Sequence, residues 1–316
     1  MDKSFTQRIN YKDDLSVVVE SIASAYQLGK LINSKIIEIG YEDLNIILTT
    51  SDGNYMAKIL GSFRNEDNCR RYVDIMKTVV KMGVPHPKLY SINGECLFKS
   101  DQGLYLCVMD YIDGKSFYDF NERPTLNEAQ ILIHEASKIN SLEFIPEDYY
   151  DEWSPVNFIQ EYGLKSKYLE DEDKQRLQRL IKPFTAIDLS ALRNGLVHGD
   201  IIRPNVIKDT HSNKMYIIDF SCASQKPIIQ ELSVLLCGMF FNEEKPSTYS
   251  DYYNLVLKEY KPGLNKTELD ALPIFVKVCF GMYIMQGTYT KVTKHFDSKE
   301  NDYWIRLGQI GLKYLS

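Results

Sequence analysis

The stretch Leu196-Val197-His198-Gly199-Asp200-Ile201-Ile202-Arg203-Pro204-Asn205-Val206 is followed by Met215-Tyr216-Ile217-Ile218-Asp219-Phe220. Together they set out one carboxylate, an amide five residues on, and a second carboxylate fourteen residues beyond that, at the end of an apolar run. Phosphoryl transfer calls for this combination. One acidic side chain orients the attacking hydroxyl, while an amide oxygen and a second carboxylate hold Mg²⁺ against phosphates whose charge must be neutralised as the group moves. In that scheme Asp200 is the catalytic residue and Asn205 and Asp219 are the metal ligands. The same chemistry needs a cation on the α/β-phosphates, and Lys58, inside the apolar run Tyr55-Met56-Ala57-Lys58-Ile59, is the candidate. Plainer roles exist for each residue: loop caps for Asp200 and Asn205, a strand-end turn for Asp219, an edge-strand charge for Lys58. The order of all four along the chain favours the shared role.

These residues need elements to position them. Apolar residues recur at helical spacing over 14–28, and three β-branched, apolar runs follow at 35–39, 44–50 and 54–60. Ser51-Asp52-Gly53 between the last two is a hairpin turn signal, so an antiparallel meander is expected with Lys58 on its third strand. Helical spacing returns over 66–82 and stops at Gly83, with Pro85 and Pro87 beyond; strands are expected at 87–92, 95–99 and 104–111. After Asp113-Gly114 the pattern becomes helical over 126–143, 155–185, 229–242, 248–260 and 267–313, interrupted by short β-like runs at 206–208 and 215–218. A strand-rich first third ahead of a helical remainder argues for an α+β chain of two lobes, 1–110 and 111–316, with the seam in the 111–115 connection.

Composition agrees with an ordinary globular chain: 316 residues, 37 Lys+Arg against 43 Asp+Glu, a formal charge of −6, and 44% apolar residues. That length is past the size at which one core usually splits. Mild acidity without a Lys/Arg block argues against nucleic acid as a partner. The apolar run 232–241 is about half the roughly 20 residues of a bilayer-spanning helix, so no membrane partner is expected. Residues 1–10 carry Asp2, Lys3 and Arg8 with no apolar segment behind them, which suits a cytoplasmic protein. The six cysteines form no C-x-x-C pair and read as buried free thiols. His86, His134, His211 and His295 lack ligand spacing, and the acidic run 170–173 reads as a solvated link.

Asp200 to Asn205 reproduces the protein-kinase catalytic-loop spacing H-R-D-x-x-x-x-N, and Asp219-Phe220 stands where D-F-G would stand. With Gly40-Tyr41-Glu42-Asp43-Leu44-Asn45, Lys58, Gly83-Val84-Pro85 and Val108–Gly114, these motifs resemble, in order, the aminoglycoside-phosphotransferase-like kinases over roughly residues 14–242. Within that superfamily the chain is most similar to the branch of type II homoserine kinases and amino-alcohol kinases. Tyr26-Gln27-Leu28-Gly29, Arg203 before Pro204-Asn205, and Asp219-Phe220…Pro227…Glu231-Leu232 carry that likeness. The resemblance implies a bilobal protein-kinase-like fold with an antiparallel-sheet N-lobe and a mainly helical C-lobe. It implies an ATP- and Mg²⁺-dependent phosphotransferase acting on a hydroxyl-bearing small molecule, with aminoglycoside, homoserine-like amino alcohol, choline-like amine and sugar all open as acceptors. Backbone N–H groups between Gly40 and Asn45 would contact the phosphates, and the 108–112 connection, through Met109 and Tyr111, the purine. The resemblance also implies a helix glutamate for Lys58, for which only Glu66 or Asp74 is available, and a carboxylate at Glu231 bracing the catalytic loop. The doubtful helix partner leaves one alternative of another class, a nucleotide-binding pseudokinase or scaffold without turnover. Protein kinase activity is disfavoured because no A-P-E element follows Asp219.

Overall fold

A computed structural model describes residues 7–37, 42–293 and 299–316. The chain divides into two compact units, Met1–Gly114 with Ile207–Phe220, and Lys115–Val206 with Ser221–Ser316.

In the first unit, α1 (Leu15–Ala25) starts where the Asp14 side chain accepts the Ser16 N–H at 2.9 Å, and it buries Leu15, Val18, Val19, Ile22 and Ala23. Strands β1 (Leu31–Ile37), β2 (Leu44–Thr50), β3 (Gly53–Ile59), β4 (Phe98–Lys99) and β5 (Tyr105–Asp110) form one antiparallel sheet in the order β1-β2-β3-β5-β4. The hairpin turn at Ser51-Asp52 closes on the Thr50–Gly53 pair and so places Asn45 opposite Lys58. One sheet face packs on α1 through Leu44, Ile46, Leu48, Ala57, Ile59, Leu106 and Val108, and each Leu, Ile or Val among them stabilises the fold by about 1.5–3 kcal/mol on full burial. Helix α2 (Glu66–Lys81) is capped by Asn65 and ends at Gly83, whose φ of +76° favours glycine.

The expected strand at 87–92 is not one. Pro87 has no N–H to donate there, and the segment makes only isolated bridges, Leu89 to Met109 and Ile92 to Glu95, the latter across the Asn93-Gly94 turn with φ of +53° and +86°. The hairpin of β8 (Val206–Asp209) and β9 (Met215–Ile217), read from sequence as an interruption in the helical part, groups from Ile207 onward with the sheet unit. The Ile217 N–H donates to Pro85 O at 2.7 Å, Thr210 N–H donates to Asp113 O at 3.0 Å, and the Phe220 ring lies 5.7 Å from that of His86. Strand β6 (Gly114–Ser116) carries the chain from one unit into the other.

The second unit is mainly helical. Helix α3 (Leu126–Asn140) begins with a reciprocal Thr125–Glu128 capping box. The helical stretch expected at 155–185 is two helices, α4 (Phe158–Lys165) and α5 (Asp171–Thr185), each preceded by a short 3-10 turn. The acidic run that read as a link forms the first turn of α5, where carboxylates meet the positive end of the helix dipole. A two-stranded antiparallel ribbon, β7 (Asn194–Val197) with β10 (Ser224–Pro227), escaped the hydrophobic pattern because both strands are short. Helix α6 (Ile228–Val234) passes into a π-helical stretch, Leu235–Phe240, in place of a regular α-helix. A Cβ on Gly238 would lie 2.3 Å from Ile202 Cγ2 and 2.6 Å from the Tyr283 hydroxyl, so this packing requires glycine. Helices α7 (Tyr249–Glu259), α8 (Lys266–Thr293) and α9 (Lys299–Tyr314) complete the unit; the helical stretch expected at 267–313 comprises α8 and α9, with 294–298 outside the described residues. Helix α8 packs on α9, α6 and α5, and apolar residues surround it almost completely from Phe275 to Met285, as a central helix requires. Five of the cysteines are buried, Cys222 is half-buried, and all are free thiols. No helix among the described residues is long and apolar enough to cross a membrane.

Candidate active site

Lys58 sits on β3 with its side chain 10% exposed, on the sheet face opposite that of its neighbours Ala57 and Ile59. A buried ammonium needs carboxylates. Asp43 Oδ2 lies 3.2 Å from Nζ and Asp219 Oδ2 3.5 Å, while the Tyr72 ring centroid is 5.5 Å away. Burial alone would drive the ammonium pKa down; Asp219, Tyr72 and Asp43 reverse that and hold it well above its ordinary value. Asp43 is itself fixed by the Gly61 N–H at 2.9 Å and by Arg64 Nε at 3.4 Å.

The expected helix carboxylate is therefore not the partner of Lys58. Glu66 accepts from the Tyr105 hydroxyl at 2.5 Å and pairs with Arg70, and Asp74 lies 3.9 Å from Lys77. From α2 it is Tyr72, fully buried, that reaches this cluster, its hydroxyl donating to Asp219 Oδ1 at 3.0 Å. Asp43 immediately precedes β2, two residues before Asn45, which the hairpin register sets opposite Lys58. Nothing in the sequence marks Tyr72 among 22 tyrosines. Asp219 has φ +66°, a left-handed backbone that a non-glycine residue adopts at a cost and that clusters at functional positions. Of the other residues expected near nucleotide, Asn45 faces Lys58 across the hairpin, Met109 is a buried β5 residue opposite Met56, and Tyr111 follows β5; Gly40 lies outside the described residues.

The second unit carries the loop between β7 and β8. Asn205 Nδ2 donates to Asp200 Oδ2 at 2.6 Å and to the Asp200 carbonyl at 3.1 Å, so the two residues expected to act together are joined directly. Since Nδ2 faces Asp200, Oδ1 is the atom through which Asn205 could ligate a cation. Gly199 takes φ +79°, and the Asp200 N–H donates back to His198 Nδ1 at 3.1 Å, so this imidazole nitrogen accepts and orients the loop. Glu231 braces the same loop as expected: Oε2 accepts the His198 N–H at 2.5 Å, and burial pushes its carboxyl up to about 7. Asn140 ties α3 to this region, donating to Leu196 O at 2.8 Å and accepting from the Tyr260 hydroxyl at 2.9 Å.

Arg203, fully buried, anchors the far side of the loop. Its Nη2 donates to Phe117 O and to Asn121 Oδ1, both at 3.1 Å, its Nη1 to the Tyr303 hydroxyl at 3.1 Å, and Tyr118 and Tyr303 flank it at 5.5 and 5.6 Å. Sequence pointed to Arg203 only as a mark of resemblance.

Among the described residues no group of three or more His, Cys, Asp or Glu side chains is placed to hold a metal by itself. One carboxylate and one amide oxygen are nonetheless the hard donors Mg²⁺ takes when phosphates and water complete its shell.

The profile of the phosphotransferase enzyme family matches residues 34–264. A homoserine kinase from Paramagnetospirillum magneticum is 21% identical over 285 residues, covering 86% of this chain and 85% of its own. Among solved structures, the amicoumacin kinase hAmiN in complex with AMP-PNP, Ca²⁺ and Ami aligns with a TM-score of 0.69 at 17% identity, over 99% of this chain and 96% of that one. A microcompartment-associated aminopropanol kinase aligns with a TM-score of 0.69 at 13% identity, over 95% of both chains. These likenesses bear out the expected α+β kinase-like fold, and the enzyme class expected from sequence, a small-molecule kinase, is that of the family. By its motifs, its sheet and helical units, and the profile that spans most of its length, the chain belongs to the phosphotransferase enzyme family.

Proposed function

We propose that this chain transfers the γ-phosphoryl group of ATP to a hydroxyl of a small molecule, with Mg²⁺ as the cation. The observation that carries the reading is the 2.6 Å hydrogen bond from the Asn205 amide to Asp200 Oδ2, which joins the two loop residues and fixes the orientation of the carboxylate that would take an acceptor's hydroxyl proton. Asp200 then orients that hydroxyl for in-line attack and takes up its proton as the new O–P bond forms. Lys58 binds the α/β-phosphates, and its fixed ammonium offsets charge on the leaving ADP. Asn205 Oδ1 and Asp219 hold the cation. Bound there, Mg²⁺ supplies charge neutralisation on the phosphoryl oxygens. By the resemblance, the stretch that leads to Asn45 would contact the phosphates and the 108–112 connection, through Met109 and Tyr111, the adenine. Main-chain hydrogen bonds would come from Tyr111, which follows β5, since Met109 is paired within the sheet.

The scaffold alternative rested on a missing carboxylate for Lys58, and Asp43 makes up that loss. The homoserine and aminopropanol kinases among the relatives support an amino alcohol as the first acceptor to test. Incubation with ATP and Mg²⁺ and one acceptor of each class, read by phosphorus NMR, should give a phosphate monoester and ADP in equal amounts with an acceptor of one class. Mg·ATP binding without any monoester across the amino alcohols, aminoglycosides, cholines and sugars would return the chain to the scaffold reading.

A further inference from the structure

The Tyr72 side chain makes a contact that packing does not explain. It projects from α2, a helix whose other buried residues, Cys69, Val73, Ile75, Met76 and Val79 among them, are mostly apolar, and phenylalanine would fill the same volume. Its hydroxyl reaches Asp219 Oδ1 at 3.0 Å, while Asp219 Oδ2 faces Lys58 at 3.5 Å. The Asp219 side chain is 34% exposed, so water would otherwise compete for both oxygens. Its backbone is held at φ +66°, and two groups on different elements, the α2 phenol and the β3 ammonium, fix the carboxylate by one oxygen each.

We propose that Tyr72 is the positioning residue for the Asp219 carboxylate, holding Oδ1 with a neutral donor so that Asp219 keeps lone pairs on both oxygens for a divalent cation instead of closing onto Lys58. This inference rests on the reading of Asp219 as a metal ligand. A neutral donor suits the task. A second cation at that place would compete with the metal for the carboxylate charge, and a carboxylate would repel Asp219. Without the Tyr72 hydroxyl, the nearest charge to Asp219 is the Lys58 ammonium, and the carboxylate should rotate to a closer ion pair, from which a metal must extract it.

The test uses the full chain with Mn²⁺ as probe and a non-hydrolysable β,γ-imido analogue of ATP, metal affinity being read by water-proton relaxation. Tyr72→Phe should weaken Mn²⁺ binding to the protein–nucleotide complex roughly 10-fold, as expected for loss of one hydrogen bond to a charged acceptor. The metal-free nucleotide dissociation constant, from calorimetry, should change by no more than about twofold, since no phosphate contact is removed. A purely structural role for Tyr72 would move both or neither. A double-mutant cycle on melting temperature needs no bound metal and covers the case of a poorly folded variant: Tyr72→Phe should destabilise the Asp219→Ala protein less than it destabilises the parent. Unchanged Mn²⁺ affinity in Tyr72→Phe, alongside a clear loss in Asp219→Ala, would overturn this inference alone. Unchanged affinity in Asp219→Ala as well would overturn the metal assignment and the inference with it.

Discussion

Beneath the catalytic loop, Glu231 couples stability to pH, and the size of the effect follows from its surroundings. The carboxyl is fully buried, Oε2 accepts the His198 N–H at 2.5 Å, and Oε1 makes no well-formed hydrogen bond. Burial raises its pKa from the ordinary 4.5 to about 7, against the lowering pull of the His198 and Gly199 N–H groups and the Asn140 amide. Between those two values the native state binds more protons than the unfolded chain. The contribution of this group is therefore fully present below pH 4.5 and is lost as pH rises through about 7. At 1.36 kcal/mol per pKa unit, the loss amounts to about 3 kcal/mol. Glu231→Gln keeps the acceptor for His198 and cannot ionise. Burying its amide N–H₂ adds a cost of about 1–3 kcal/mol, but that cost does not vary with pH. The stability of the variant relative to wild type should thus improve by about 3 kcal/mol between pH 4.5 and pH 8. Urea unfolding at closely spaced pH values measures this directly. Tryptophan fluorescence is the suitable signal, because Trp153 and Trp304 both belong to the unit that holds Glu231. Parallel curves for the two proteins across that range would refute the argument, since Glu231 would then ionise with its ordinary pKa.

Lys58→Met keeps much of the side-chain volume and removes the charge, so KM for ATP should rise or kcat fall by roughly an order of magnitude or more in steady-state assays; unchanged kinetics would leave Lys58 only a structural ion-pair partner of Asp43 on the central strand. Asp43→Asn withdraws the carboxylate that holds the ammonium and should lower kcat about 10-fold, whereas Glu66→Gln, on the carboxylate that bonds Tyr105 and Arg70, should not. The opposite pattern in that pair of variants would restore the helix carboxylate as the partner of Lys58.

What was legible in the sequence is what local patterning encodes. The Asp200–Asn205 pair lies within one loop, and spacing alone brings its two side chains to hydrogen-bonding distance. Lys58 is visible as a charge in an apolar strand, and the Ser51-Asp52-Gly53 turn sets the register that defines its neighbours. Contacts between distant segments were not legible. The network of Asp43, Tyr72 and Asp219 joins β2, α2 and the end of the β9 segment, and no period in the chain relates them. The strand expected at 87–92 failed because hydrophobic alternation was read without the N–H donor that Pro87 lacks and the Asn93-Gly94 turn that cuts the pairing to isolated bridges. The π-helical stretch at Gly238 is a product of packing in the helical unit, which apolar spacing cannot anticipate.

Asp200 is the residue that separates a phosphotransferase from a protein that merely binds nucleotide, since in this account phosphates and metal are held by Lys58, Asn205 and Asp219. Asp200→Asn preserves shape and removes the charge that takes the acceptor's proton. Turnover of the acceptor found in the screen, followed as ADP released, should fall roughly 10²–10⁴-fold, while the calorimetric Kd for Mg·ATP stays within a few fold of wild type. Wild-type turnover in the Asp200→Asn protein would contradict the assignment of Asp200, and with it the account's central claim.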